Sequence, residues 1–157
     1  SNEKATRVQR FEDLIAWQKA RDLAKQIYIL TRREPFCRDF GLSSQMQRAA
    51  VSIMANLAEG FERGSSAEFH QFIVIAKSSC AELRSHLYVA FDIGYISQNI
   101  FEEKNERAME ISRILGGLKS SIQKENKPSD ALVTFQSLLI AQKSFLFTRR
   151  FSLIAHH

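Results

Sequence analysis

Residues 66–92 read SAEFHQFIVIAKSSCAELRSHLYVAFD, and the fold follows from this stretch. At about 100° per residue, Phe69, Phe72, Ile73, Ala76, Cys80, Leu83, Leu87, Ala90 and Phe91 fall within about 100° of arc. One long amphipathic helix with a single core stripe is predicted. Ser65 and Glu68 stand at capping-box spacing before it, and Gly94 is placed to stop it. Downstream, Ser97 caps a further helix that carries Ile100, Phe101, Ala108, Ile111, Leu115, Leu118 and Ile122 on one face. Its acids Glu102, Glu103, Glu106 and Glu110 precede its bases Arg113, Lys119 and Lys124, as the helix dipole favours. Gly116-Gly117 inside it costs about 1 kcal/mol per glycine relative to Ala, which calls for a close helix approach or a bend.

Upstream, Met46, Ala49, Ala50, Ile53, Leu57 and Phe61 form another helical stripe. Ser43-Ser44, with Gln47 completing a capping box, is expected to open that helix, and Gly60 to end it near Glu59. A first helix is expected to open at Phe11-Glu12-Asp13 and to carry Trp17, Ala20, Ala24, Ile27, Tyr28 and Thr31 on one face, with Pro35 ending the pattern. Residues 34–42 read as a connection whose Phe36 and Phe40 tuck under the bundle. The expected fold class is all-α: an antiparallel up-down-up-down four-helix bundle over residues 11–125, with a basic extension at 1–10 and a further helix or flexible extension at 126–157.

The totals agree with one helical domain. The chain has 157 residues, 45% of them hydrophobic and 25% charged, with few Pro and Gly to break helices or build β turns. Cys37 and Cys80 are single and far apart, so neither a disulfide framework nor a zinc site is suggested. No run approaches the ~18 apolar residues of a membrane span, and no apolar stretch follows the basic N-terminus. A cytoplasmic protein without membrane partners is expected.

The net charge of +5 is unevenly spread: residues 11–125 hold 15 Lys/Arg and 15 Asp/Glu, and the excess lies in the two ends. The bundle itself is therefore expected to show no obvious cationic stripe. Candidates for phosphate contact are Arg7, Arg10, Arg32, Arg33, Lys119, Lys124, Arg149 and Arg150.

Two faces exceed what one core needs. Gln45, Arg48, Ser52, Asn56, Glu59 and Arg63 share an arc about 80° wide on the second helix, a polar seam suited to hydrogen bonding across an interface. Ala67, Val74, Ala81 and Tyr88 recur every seven residues on the third helix, roughly 130° from its core stripe. These ten residues are the candidate subunit interface, the sequence reading alone leaving solvated surface as the alternative. No P-loop, GxGxxG, HExxH or GxSxG is present, and Glu82 with His86 lacks the Glu-x-x-His pairs of a di-iron bundle. No catalytic residue, cofactor or metal is expected, and the chain reads as a non-enzymatic protein.

Phe11-Glu-Asp-Leu-Ile-Ala-Trp-Gln-Lys-Ala20, Phe40-Gly-Leu-Ser-Ser-Gln45, Arg48-Ala-Ala-Val-Ser52, Asn56-Leu-Ala-Glu-Gly60, Glu68-Phe69, Phe72 and Gly94-Tyr95 resemble the four-helix-bundle proteins of intervening sequences in 23S ribosomal RNA genes. That family includes Avd, the accessory protein of diversity-generating retroelements. The likeness covers roughly residues 11–122. It implies a homopentameric ring of bundles about a central channel, without enzymatic activity, and in Avd-like members a ring that binds nucleic acid and a reverse transcriptase. Expected partners are therefore the chain itself, RNA or DNA, and a reverse transcriptase or other protein. The alternative is a self-assembling scaffold that binds a protein partner without nucleic acid.

Overall fold

A computed structural model of the chain describes residues 8–125. The extension expected at 126–157 lies outside the described residues, as do Arg7, Arg149 and Arg150. Four helices, α1 (Ile15–Thr31), α2 (Phe40–Glu62), α3 (Ser66–Asp92) and α4 (Gln98–Glu125), are preceded or joined by short 3-10 turns at Phe11–Asp13 and Phe36–Arg38. There is no strand among the described residues.

Side-chain pairs fix the directions. Ser52 meets Ser79 and Arg63 meets Glu68, so α2 and α3 run antiparallel. Arg84 reaches Asn105 and Lys77 reaches the Ser112 carbonyl, so α4 reverses again. Lys19 with Glu110, Asp22 with Arg107 and Gln26 with Lys104 close the square between α1 and α4. The stripes read from the sequence form one core, in which Ile27, Met46, Ile53, Leu57, Phe69, Ile73, Leu83, Leu87 and Ile111 are fully buried.

Helix ends legible from local signals stand where expected. Ser65 accepts from the Glu68 N–H, Ser97 from the Ile100 N–H, and Gly94 adopts φ +80° just past α3. Three expectations are corrected. The Phe11-Glu12-Asp13 segment forms a separate 3-10 turn, and α1 starts at Ile15. At the start of α2 the cap is Asp39, whose carboxylate accepts from the Leu42 N–H at 2.9 Å. Ser43 and Ser44 lie inside that helix, and Gln47 donates to Thr31 Oγ1 of α1 instead of closing a capping box. The helix also outruns Gly60 and stops at Glu62, with Gly64 at φ +69° beyond it, a conformation that costs glycine nothing.

Gly60 serves packing. A Cβ there would lie 2.5 Å from Phe72 Cβ, so α2 and α3 approach too closely for any side chain. The glycine pair in α4 divides: a Cβ on Gly116 would meet Lys77 Nζ at 3.2 Å, whereas Gly117 faces open space. Phe36 is 1% exposed and rests on the Tyr95 ring, but Phe40 stands 80% exposed in the first turn of α2, contrary to the expectation that both tuck in. Helix α2 begins one residue after the buried turn, and its first residue points away from the core.

Candidate subunit seam and nucleic-acid interface

The polar seam on α2 is partly consumed within the chain. Asn56 Nδ2 donates to the Ser52 carbonyl at 2.8 Å and to Ser52 Oγ at 3.0 Å. Ser52 Oγ lies 2.8 Å from Ser79 Oγ, which donates to the Ile75 carbonyl at 3.1 Å. Each hydroxyl thereby accepts one bond and donates one, a satisfied relay that pins α2 to α3. Lower down, Arg63 pairs with Glu59 at 2.9 Å and lies over the Phe72 ring. Gln45 and Arg48 remain exposed without a partner among the described residues.

On α3, all four members of the second line, Ala67, Val74, Ala81 and Tyr88, are exposed. The structure widens this line into a face. Ten residues are exposed between Ala67 and Val89, adding Gln71, Ile75, Ser78, Glu82, Ser85 and Val89, and Glu82 alone is charged. On α4 the exposed set contains Glu102, Glu103, Glu106, Arg107 and Lys124, as a solvated helix does. Tyr88 and Val74 are 49% and 39% exposed, and Tyr88 is propped from below by Phe101 at 4.7 Å. Ile75 and Val89 sit off the seven-residue line, and only burial shows that nothing among the described residues covers them.

His86 Nε2 stands 3.6 Å from Glu82, and His70 Nε2 is buried without a hydrogen-bond partner. Among the described residues no group of three or more His, Cys, Asp or Glu is placed to hold a metal ion, and no helix is long and apolar enough to cross a membrane. Burial pushes the Cys80 thiol up to about 12.

The described phosphate-contact candidates do not converge. Arg32 and Arg33 lie where α1 ends. Arg10, Lys119 and Lys124 lie at the opposite end of the bundle, about 25 Å away by the length of α1. Arg10 is also held by Glu12 at 2.7 Å, and its hydrogen bond keeps the Glu12 carboxyl below its ordinary range. Six other cations, Lys19, Arg38, Arg63, Lys104, Arg107 and Arg113, each form an ion pair with a carboxylate. Arg21 and Lys25 on α1 and Arg32 just past its end are exposed and, like Arg33 and Arg48, have no such partner among the described residues. Nothing in the sequence sets Arg21 and Lys25 apart, since counting charges cannot tell which carboxylates are already engaged.

Comparison with known proteins agrees with this architecture. Residues 12–117 match the model of the family described as 23S rRNA-intervening sequence protein. The chain belongs to that family. Among solved structures, it is similar to a protein of unknown function from the S23 ribosomal protein family of Bacteroides thetaiotaomicron VPI-5482. The two are 26% identical with a TM-score of 0.62, over 67% of this chain and 98% of the other. No curated protein matches the chain. In this intervening-sequence protein the motif residues Ser52 and Asn56 build the α2–α3 relay, and Gly60 sets the distance between the two helices.

Proposed function

We propose that this chain is the non-enzymatic subunit of a homo-oligomer, a pentameric ring in keeping with the family resemblance, that acts as an accessory protein on nucleic acid. The observation that carries the proposal is the outer face of α3, about 33 Å of exposed helix with one charge, flanked by small residues that permit close approach. Association with nucleic acid draws its support from the family and from the basic ends of the chain. Sedimentation of the full chain at micromolar concentration tests the assembly. A mass several times the 18.0 kDa of one chain is expected, and a monodisperse monomer overturns it.

A second reading, a scaffold for a protein partner without nucleic acid, is favoured by Phe40. An aromatic side chain exposed to 80% at a helix start is the kind of anchor that protein interfaces bury. Co-purification from the native host separates the two readings. Bound RNA or DNA supports the first, and a stoichiometric protein without nucleic acid supports the second.

A further inference from the structure

The neutrality of the bundle conceals an electrostatic asymmetry. The one acid in α1, Asp22, turns towards α4, where Arg107 Nη1 binds it at 3.0 Å, and Lys19 turns the same way to Glu110. Thr31, on the other side, accepts from Gln47 of α2. At about 100° per residue, Arg21, Lys25 and Arg32 fall within about 40° of arc on the edge of α1 away from those ion pairs. Helix α2, which borders that edge, holds no Asp or Glu from Phe40 to Ala58 and shows the unpaired Arg48 on its outer surface. Of the acids outside α1 and α4, Glu12 is engaged by Arg10, Glu34 by Arg38 and Glu59 by Arg63. Glu62, in the last turn of α2, is exposed.

We infer that this edge of α1, with Arg21, Lys25 and Arg32 as its contacts, is a binding surface for the phosphate backbone of nucleic acid; it rests on the nucleic-acid reading above and specifies its surface. The three cations span about 16 Å of helix, a length over which each strand of a duplex presents about five phosphates. Two are held in place by aromatic rings. The Arg21 guanidinium lies 5.7 Å above Trp17 and that of Arg32 5.9 Å from Tyr28, so they face outward already ordered. These arginines cover the rings, which removes them as platforms for base stacking. The contact therefore reads charge and spacing, and binding is independent of sequence.

The test uses the full chain and labelled random-sequence duplexes of DNA and RNA, with binding followed by anisotropy across a salt series. The triple variant R21A/K25A/R32A is expected to weaken binding at least tenfold and to lower the log-log salt slope on DNA by about 2–3, near 0.9 for each phosphate no longer neutralised. R33A/K119A/K124A removes the same charge from the ends and is expected to change the slope by less than about 1. R21K/R32K retains binding, which separates the role of charge from that of packing on Trp17 and Tyr28. Equal losses in the two triple variants, or an unaltered R21A/K25A/R32A, overturn this surface while leaving nucleic-acid association standing. A wild-type chain that binds neither duplex at low salt overturns the nucleic-acid reading itself.

Discussion

Replacing Gly60 by alanine probes the closest point between α2 and α3. The added Cβ would sit 2.5 Å from Phe72 Cβ and 3.0 Å from both Phe72 Cγ and Phe69 Cδ2. A Cβ beside the backbone cannot rotate away, and the phenylalanine stems are fixed by their own helix, so the two helices must separate by roughly 1 Å. Overpacking of this kind costs about 1–3 kcal/mol, and the rigid obstacle places the site near the upper end. Alanine is the better helix former by about 1 kcal/mol, which offsets part of the loss. A net destabilisation of about 2 kcal/mol remains, or a fall of about 8 °C in melting temperature for a bundle of this size. Gly117 is the control, because nothing lies within 4 Å of its Cβ position. There the propensity acts alone, and Gly117→Ala should gain about 1 kcal/mol. Thermal melts by circular dichroism, at one protein concentration because assembly shifts the midpoint, measure both variants. A Gly60→Ala protein as stable as wild type would refute the close-approach argument.

The two phenylalanines flanking the α2 start should separate sharply in urea titrations. Phe36→Ala is expected to cost about 3–5 kcal/mol, whereas Phe40→Ala should stay within about 0.5 kcal/mol, and similar costs for both would contradict their placement. At pH 8, iodoacetamide should label the half-buried Cys37 well before the buried Cys80, and comparable rates would argue against the packing around α3. Cys80 also makes stability depend on pH. Its folded value of about 12 exceeds the ~8.5 of an unfolded thiol. The neutral thiol's contribution is thus complete below about pH 8.5. Above that, the unfolded chain ionises while the folded chain does not, and stability falls by up to about 1.4 kcal/mol per pH unit. Cys80→Ala should flatten the slope between pH 9 and 11, and an unchanged slope would exclude this cause.

What the sequence made legible was whatever a single helix decides by itself. The α3 stripe, its Ser65 cap and its Gly94 stop depend on residues a few positions apart, and all three stand as read. Gly60 and Gly64 were interchangeable on local grounds. The choice between them came from Phe72 on another helix, which no pattern within α2 reveals. Asp39 does not stand out as the cap because Ser43-Ser44 offers the same chemistry one turn later, while the buried Phe36 turn sets where the chain can begin to coil. The polar seam was visible as spacing, but its partner Ser79 lies 27 residues away, so its internal role could not be separated from an interfacial one. The α1 edge was hidden for the same reason. Its cations stand out only once Asp22 and Glu110 are seen to be engaged by α4 and Lys19.

The most direct test of the central claim, assembly through the outer face of α3, is the native mass of Ala81→Arg beside wild type. Ala81 is exposed in the single chain, so the bundle should keep its helicity and its melting behaviour at high dilution. In the assembly the new guanidinium would be buried without a partner. The account predicts a multimeric wild type and a variant reduced to the 18.0 kDa of one chain. A variant that assembles to the wild-type mass would contradict it.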